Sequence, residues 1–143
     1  MKKGSTIVEA VISMSLLLIA LTLTVQISAI ASKSMDIRKS KEKANRISYA
    51  IENEIKYNIS FTEIKNIFTN GKISFKYRDN ILDSLLENSL LSLERGNEII
   101  IEKKIDNSIE PKYEISAFNI KIIDSEGEIL SEREFIKSYW MDI

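Results

Sequence analysis

Hydrophobic residues fill the first part of this chain almost without relief, then thin to a stripe. From Ile7 to Ala31 the sequence reads IVEAVISMSLLLIALTLTVQISAIA, and its one charged residue is Glu9. As a helix, this run is roughly 37 Å long at 1.5 Å per residue. That crosses a hydrocarbon core of about 30 Å with some tilt. Further on, Ile47, Ile51, Ile55 and Ile59 recur every four residues, while Ile37, Ala44 and Ile51 recur every seven. Charges such as Arg38, Lys39, Lys41, Glu42, Lys43, Glu52, Glu54 and Lys56 fill the other positions. This is helical spacing with one apolar face. No proline or glycine interrupts Ser5 to Asn58, so the pattern predicts one continuous helix, about 80 Å long. It is apolar all round in its first half and striped in its second, and the stripe needs a globular partner.

The rest of the chain supplies one. Ser60-Phe61-Thr62-Glu63 fits a capping box, predicting a short helix from Phe61 to Thr69 that Asn70-Gly71 ends. Lys72 to Arg78 alternates Ile73, Phe75 and Tyr77 with polar residues, as a strand does. Asp79 can cap a second helix over Asn80 to Leu93, with Ile81, Leu82, Leu85, Leu86 and Leu90 on one side. Three more strands are expected over Glu98–Ile105, Lys112–Ile123 and Glu128–Trp140. Asp124-Ser125-Glu126-Gly127 forms a turn between the last two. Pro111 falls between strands, where its missing N–H does no harm. The expected fold class is α+β. A long N-terminal helix, membrane-spanning in its first half, packs by its second half on an antiparallel sheet of three to four strands.

Composition narrows the chemistry. The 143 residues leave room for one soluble domain beyond an anchor. A net charge of −1 gives no overall attraction to nucleic acid. There is no cysteine, hence no disulfide, and no histidine, which removes the commonest general base and metal ligand. Serines without a histidine partner lack the usual activation, and four glycines make no phosphate-cradling loop. Asp124, Glu126 and Glu128 beside Gly127 hint at a calcium loop, but the EF-hand places its glycine sixth rather than fourth. The aromatics Phe75, Tyr77, Tyr113, Phe118, Phe135, Tyr139 and Trp140 read as strand core rather than a nucleic-acid face, because acids are interleaved as densely as bases. The sequence predicts no catalytic residue, no metal and no cofactor. The expected function is structural, not enzymatic.

Glu9 remains to be explained, because a carboxylate inside an otherwise lipid-compatible segment is costly. Met1-Lys2-Lys3-Gly4 followed by Ser5-Thr6, Glu9 and the apolar run resembles the N-terminus of type IV pilins and pseudopilins. The resemblance covers about the first thirty residues. It implies cleavage after Gly4 by a prepilin peptidase and methylation of the new amine at Ser5. It also implies an assembly role for Glu9, which would neutralise a neighbouring subunit's amine and fix axial register. It divides the chain into a leader (1–4), a transmembrane and filament-core helix (5–31), its amphipathic continuation (32–59) and a globular head (60–143). The implied partners are other pilin or pseudopilin subunits, the peptidase, the inner-membrane assembly platform and, before assembly, membrane lipid. The implied locations are the cytoplasmic membrane first and an extracellular filament or the cell surface afterwards. The small polar start, Ser5-Thr6 with no phenylalanine, is more like a minor pilin or pseudopilin. This chain departs from many pilins in having no C-terminal disulfide and no proline midway along the helix.

Two other readings stay open on the residues. Ala29-Ile30-Ala31 before Ser32 fits a signal-peptidase site, which would release a soluble binding domain. Against it stand Glu9 inside the apolar region, the length of that region, and helical patterning that runs on past Ala31. The second is a plain bitopic anchor without processing. Lys2 and Lys3 precede the run, whereas Lys33, Arg38, Lys39, Lys41, Lys43 and Arg46 follow it. Counted simply, that asymmetry would keep the C-terminal side in the cytoplasm, the reverse of what the resemblance implies.

Overall fold

A computed structural model describes residues 3–68, 70–78, 80–104 and 115–141, apart from the side chains of residues 3–5 and 139. The expected roles of Thr69, Asp79, Ile105, Pro111, Lys112 and Tyr113 lie outside the described residues. The chain forms two compact units, Met1–Lys39 and Ser40–Ile143. The fold class is α+β, with a long N-terminal helix and an antiparallel sheet.

Helix α1 runs from Lys3 to Asn53. Its part in the first unit exposes its apolar side chains, from Ile7 to Met35. This is the one described helix long and apolar enough to cross a membrane. In the second unit, α1 turns its stripe onto the sheet: Ala44, Ile47 and Ile51 are fully buried. The expected helix to Asn58 changes form at its end. Residues Glu54–Asn58 make a π-helical turn, which keeps Ile55 buried and carries the chain to Ile59.

Helix α2 (Phe61–Ile67) begins with the expected capping box: Glu63 N donates to Ser60 Oγ, and Ser60 N donates to the Glu63 carboxylate at 3.0 Å. Strand β1 (Lys72–Phe75) is shorter than the expected Lys72–Arg78. It stops because Phe75 bridges Arg95, and Lys76 N donates to Glu94 O at 2.9 Å. This approach requires Gly96, since a Cβ there would come within 2.6 Å of Lys76 Cα. Tyr77 therefore leaves the sheet.

The second helix is also shorter than expected. Helix α3 spans Ile81–Glu87, and its N-cap, Asn80, makes no side-chain capping bond. Asn88 is extended, and Ser89 caps a separate 3₁₀ turn over Leu90–Ser92. A serine that bonds its own local backbone competes with helix continuation. Ile81 and Leu90 still reach the core, but Leu86 is 86% exposed, so the expected five-residue apolar side is incomplete.

Strands β2 (Ile99–Lys104), β3 (Ile115–Ile123) and β4 (Ile129–Ser138) complete an antiparallel sheet in the order β1-β2-β3-β4. In the β3–β4 turn, Asp124 Oδ1 accepts from the backbone N–H groups of Glu126 and Glu128, both at 2.9 Å. Gly127 takes φ +84°, a conformation that favours glycine. The core joins the α1 stripe to Phe75, Ile99, Ile101, Phe118, Ile120 and Ile122. The Phe118 ring stacks on Phe135 at 5.2 Å and meets the Phe68 edge at 5.4 Å. Tyr139 and Trp140 were expected on β4 but lie in a terminal 3₁₀ turn, Tyr139–Met141, and Trp140 is largely exposed.

Candidate functional site

The expected assembly residues fall at the start of α1. Gly4 and Ser5 lie in its first turns, and Glu9 is exposed four residues after Ser5. Residues four apart share one side of a helix, so Ser5 and Glu9 stand one above the other. No partner to Glu9 is present among the described residues. Three hydroxyls in the apolar run turn inward on the backbone. Ser15 Oγ donates to Val11 O, Thr22 Oγ1 to Ile19 O and Thr24 Oγ1 to Ala20 O, each at 2.8 Å. Satisfied in this way, the three hydroxyls need neither water nor a partner chain. The carboxylate of Glu9 is the one charged group of this stretch and its costliest polar group.

In the second unit, α1 and β4 meet through a ladder of unlike contacts. The first rung is a surface ion pair, Lys41 with Glu128, at 3.7 Å. Next, Ser131 Oγ donates to Asn45 Oδ1 at 2.9 Å and lies 3.0 Å from Ser48 Oγ. Arg133 Nη1 then donates to Glu52 Oε2 at 3.2 Å, and its guanidinium covers the Tyr49 ring at 5.6 Å. Glu52 also accepts from Lys56 Nζ at 2.6 Å, and that ammonium sits 5.5 Å from the Phe135 ring centre. The last rung is Lys137, only 1% exposed, whose Nζ donates to the carbonyls of Ile55, Lys56 and Ile59 at 3.2, 3.0 and 2.5 Å. A helix end leaves carbonyls without partners and carries partial negative charge. Lys137 answers both.

This ladder was not among the sequence expectations. On β4, Ser131, Phe135 and Lys137 face inward, and Ile136 is exposed. The available signal was the two-residue period Ser131, Arg133, Phe135, Lys137. Its polar members find partners on α1 that strand patterning alone does not reveal.

The opposite face of the sheet is solvated. Lys121 and Glu132 pair at 3.6 Å, Lys72 and Glu102 at 3.3 Å, and Lys104 pairs with Glu134. Asn119 Nδ2 donates to Glu132 at 3.1 Å. That bond first, then the Lys121 charge, holds the Glu132 carboxyl below its ordinary value of 4.5. An apolar cavity of about 580 Å³ opens between the end of α1 and α3, lined by Ala50, Tyr57, Leu82, Leu85 and Leu86 among others. Among the described residues, no group of three acidic, histidine or cysteine side chains could hold a metal ion.

No family model, no curated protein and no solved structure matches this chain.

Proposed function

We propose that this chain is a pilin-like structural subunit, inserted in the cytoplasmic membrane, cleaved after Gly4 and built into a filament through α1, as a minor pilin or pseudopilin. The observation that carries the reading is Glu9, a carboxylate with no partner among the described residues, near the start of an exposed apolar helix and the one charge in its apolar run. Lipid offers that carboxylate nothing, whereas a cationic amine on an adjacent subunit would neutralise it. Cleavage at Gly4 would create such an amine at Ser5, and methylation would keep it cationic. The unbroken helix into an α+β head supports the same architecture. The work is done by packing, not by catalysis: apolar helices leave lipid and bundle, and heads form the outer layer.

The deciding experiment is N-terminal analysis of the mature protein from cells with and without a prepilin peptidase. The proposal requires a methylated Ser5 that appears only when the peptidase is present. A mature chain beginning at Ser32 would identify a secreted domain, and an intact Met1 a plain anchor. Either result would overturn the proposal.

A further inference from the structure

We infer that Lys33, Arg38 and Lys39 form a collar that binds the phosphates of anionic lipid headgroups at the C-terminal edge of the apolar run. This rests on reading that run as membrane-spanning. Position is the first argument. Lys33 comes two residues after Ala31, and Lys39 stands about 12 Å beyond it at 1.5 Å per residue. Headgroup layers add about 5 to 7 Å on each side of the hydrocarbon. Long basic side chains close the remaining distance by snorkelling.

Availability is the second argument. All three side chains are exposed, and none has an ion-pair partner among the described residues. Further along the helix, Lys41 is engaged by Glu128 and Arg46 by Glu42. Unpaired cations are thus found beside the apolar run, while these two later ones are engaged.

Direction is the third argument. At about 100° per residue, Lys33, Arg38 and Lys39 fall near 0°, 140° and 240° around the helix. Asp36, the one acid among them, lies near 300°. A docking protein would need its cations on one side. Headgroups surround a helix on every side, and a ring of cations suits them. Each basic residue near an anionic surface adds attraction that falls away within a Debye length.

The full chain reconstituted into phosphatidylcholine bilayers provides the test. Trace spin-labelled phosphatidylglycerol or phosphatidylcholine reports how much of each lipid the protein immobilises. Wild type should favour phosphatidylglycerol several-fold at low salt, less at high salt. The triple variant Lys33→Gln, Arg38→Gln, Lys39→Gln should lose most of that preference, the remainder resting on Lys2 and Lys3 at the other edge, and Lys33→Arg should keep it. Equal immobilisation by wild type, or a preference undiminished in the triple variant, would overturn the collar alone. A chain that does not enter neutral bilayers at all would overturn the spanning reading, and the collar with it.

Discussion

The ammonium of Lys137 on β4 lies 2.5 Å from the carbonyl oxygen of Ile59, where the long helix gives way to extended chain. Two further carbonyls, of Ile55 and Lys56, converge on the same nitrogen. Three donors thus meet three acceptors in a site closed to water. Lys137→Met should leave those carbonyls without their cation and cost about 1 to 3 kcal/mol. Lys137→Arg should not restore the loss, because a planar fork does not fit three converging carbonyls. Urea denaturation of a soluble fragment beginning near Ser34 measures both. A stability equal to wild type in Lys137→Met would contradict the capping role.

The α1 stripe should behave as head core. Ile51 is fully buried among sheet residues, so Ile51→Ala is expected to cost about 2 to 5 kcal/mol in the same fragment. A fragment of residues 60–143 would expose the surface that Ile47, Ile51, Ile55 and Ile59 cover, and should aggregate or stay unfolded. A cooperative thermal transition from that shorter piece would refute the dependence on the helix.

Acid should weaken the β3–β4 face. The Glu132 carboxyl titrates below its ordinary 4.5 in the folded chain. A depressed folded value means that its contribution is present above about pH 4.5 and is lost as pH falls through the lower folded value. Glu132→Gln should therefore flatten the stability curve in that acid window and leave its slope near pH 7 unchanged. Parallel wild-type and variant curves below pH 4.5 would argue against a role for this group. The effect should be small, since the side chain is exposed and screened.

Assembly should depend on Glu9 while insertion does not. Glu9→Val removes the costly charge from the apolar run, so the variant should fractionate with membranes as wild type does. Sheared filament fractions should lack it. Incorporation of Glu9→Val at the wild-type level would remove the proposed role of the carboxylate.

Local chemistry made several elements legible in advance. The Ser60–Glu63 box, the Asp124–Gly127 turn and the isoleucine stripe each depend on residues close together in sequence, and each stands as expected. Where contacts between distant segments decide, the reading was less complete. Tyr77 leaves the sheet because its neighbour Lys76 pairs with Glu94, and that required knowing how closely Gly96 approaches. Leu86 matched the α3 spacing but faces outward beside the cavity, because the helix ends one residue later and Ser89 starts a new turn. The partners of Lys137 are carbonyls at the end of α1, 78 to 82 residues away, which nothing in the strand pattern reveals. As for the assembly residues, Gly4, Ser5 and Glu9 were picked from spacing and resemblance, and their roles are matters for the peptidase and filament experiments.

The rungs between α1 and β4 have one more consequence. Four helical residues rise about 6 Å and two strand residues about 6.8 Å, so the two repeats nearly coincide and a slip by one rung is geometrically available. Yet hydroxyl faces hydroxyl at Ser48, carboxylate faces guanidinium at Glu52, and carbonyls face ammonium at Ile59. Like a key whose teeth are all cut differently, the seam accepts one setting: moved by a notch, Arg133 would meet a serine and Glu52 would lose its guanidinium. Axial load carried along the helix should therefore meet an all-or-none catch rather than a gradual slide.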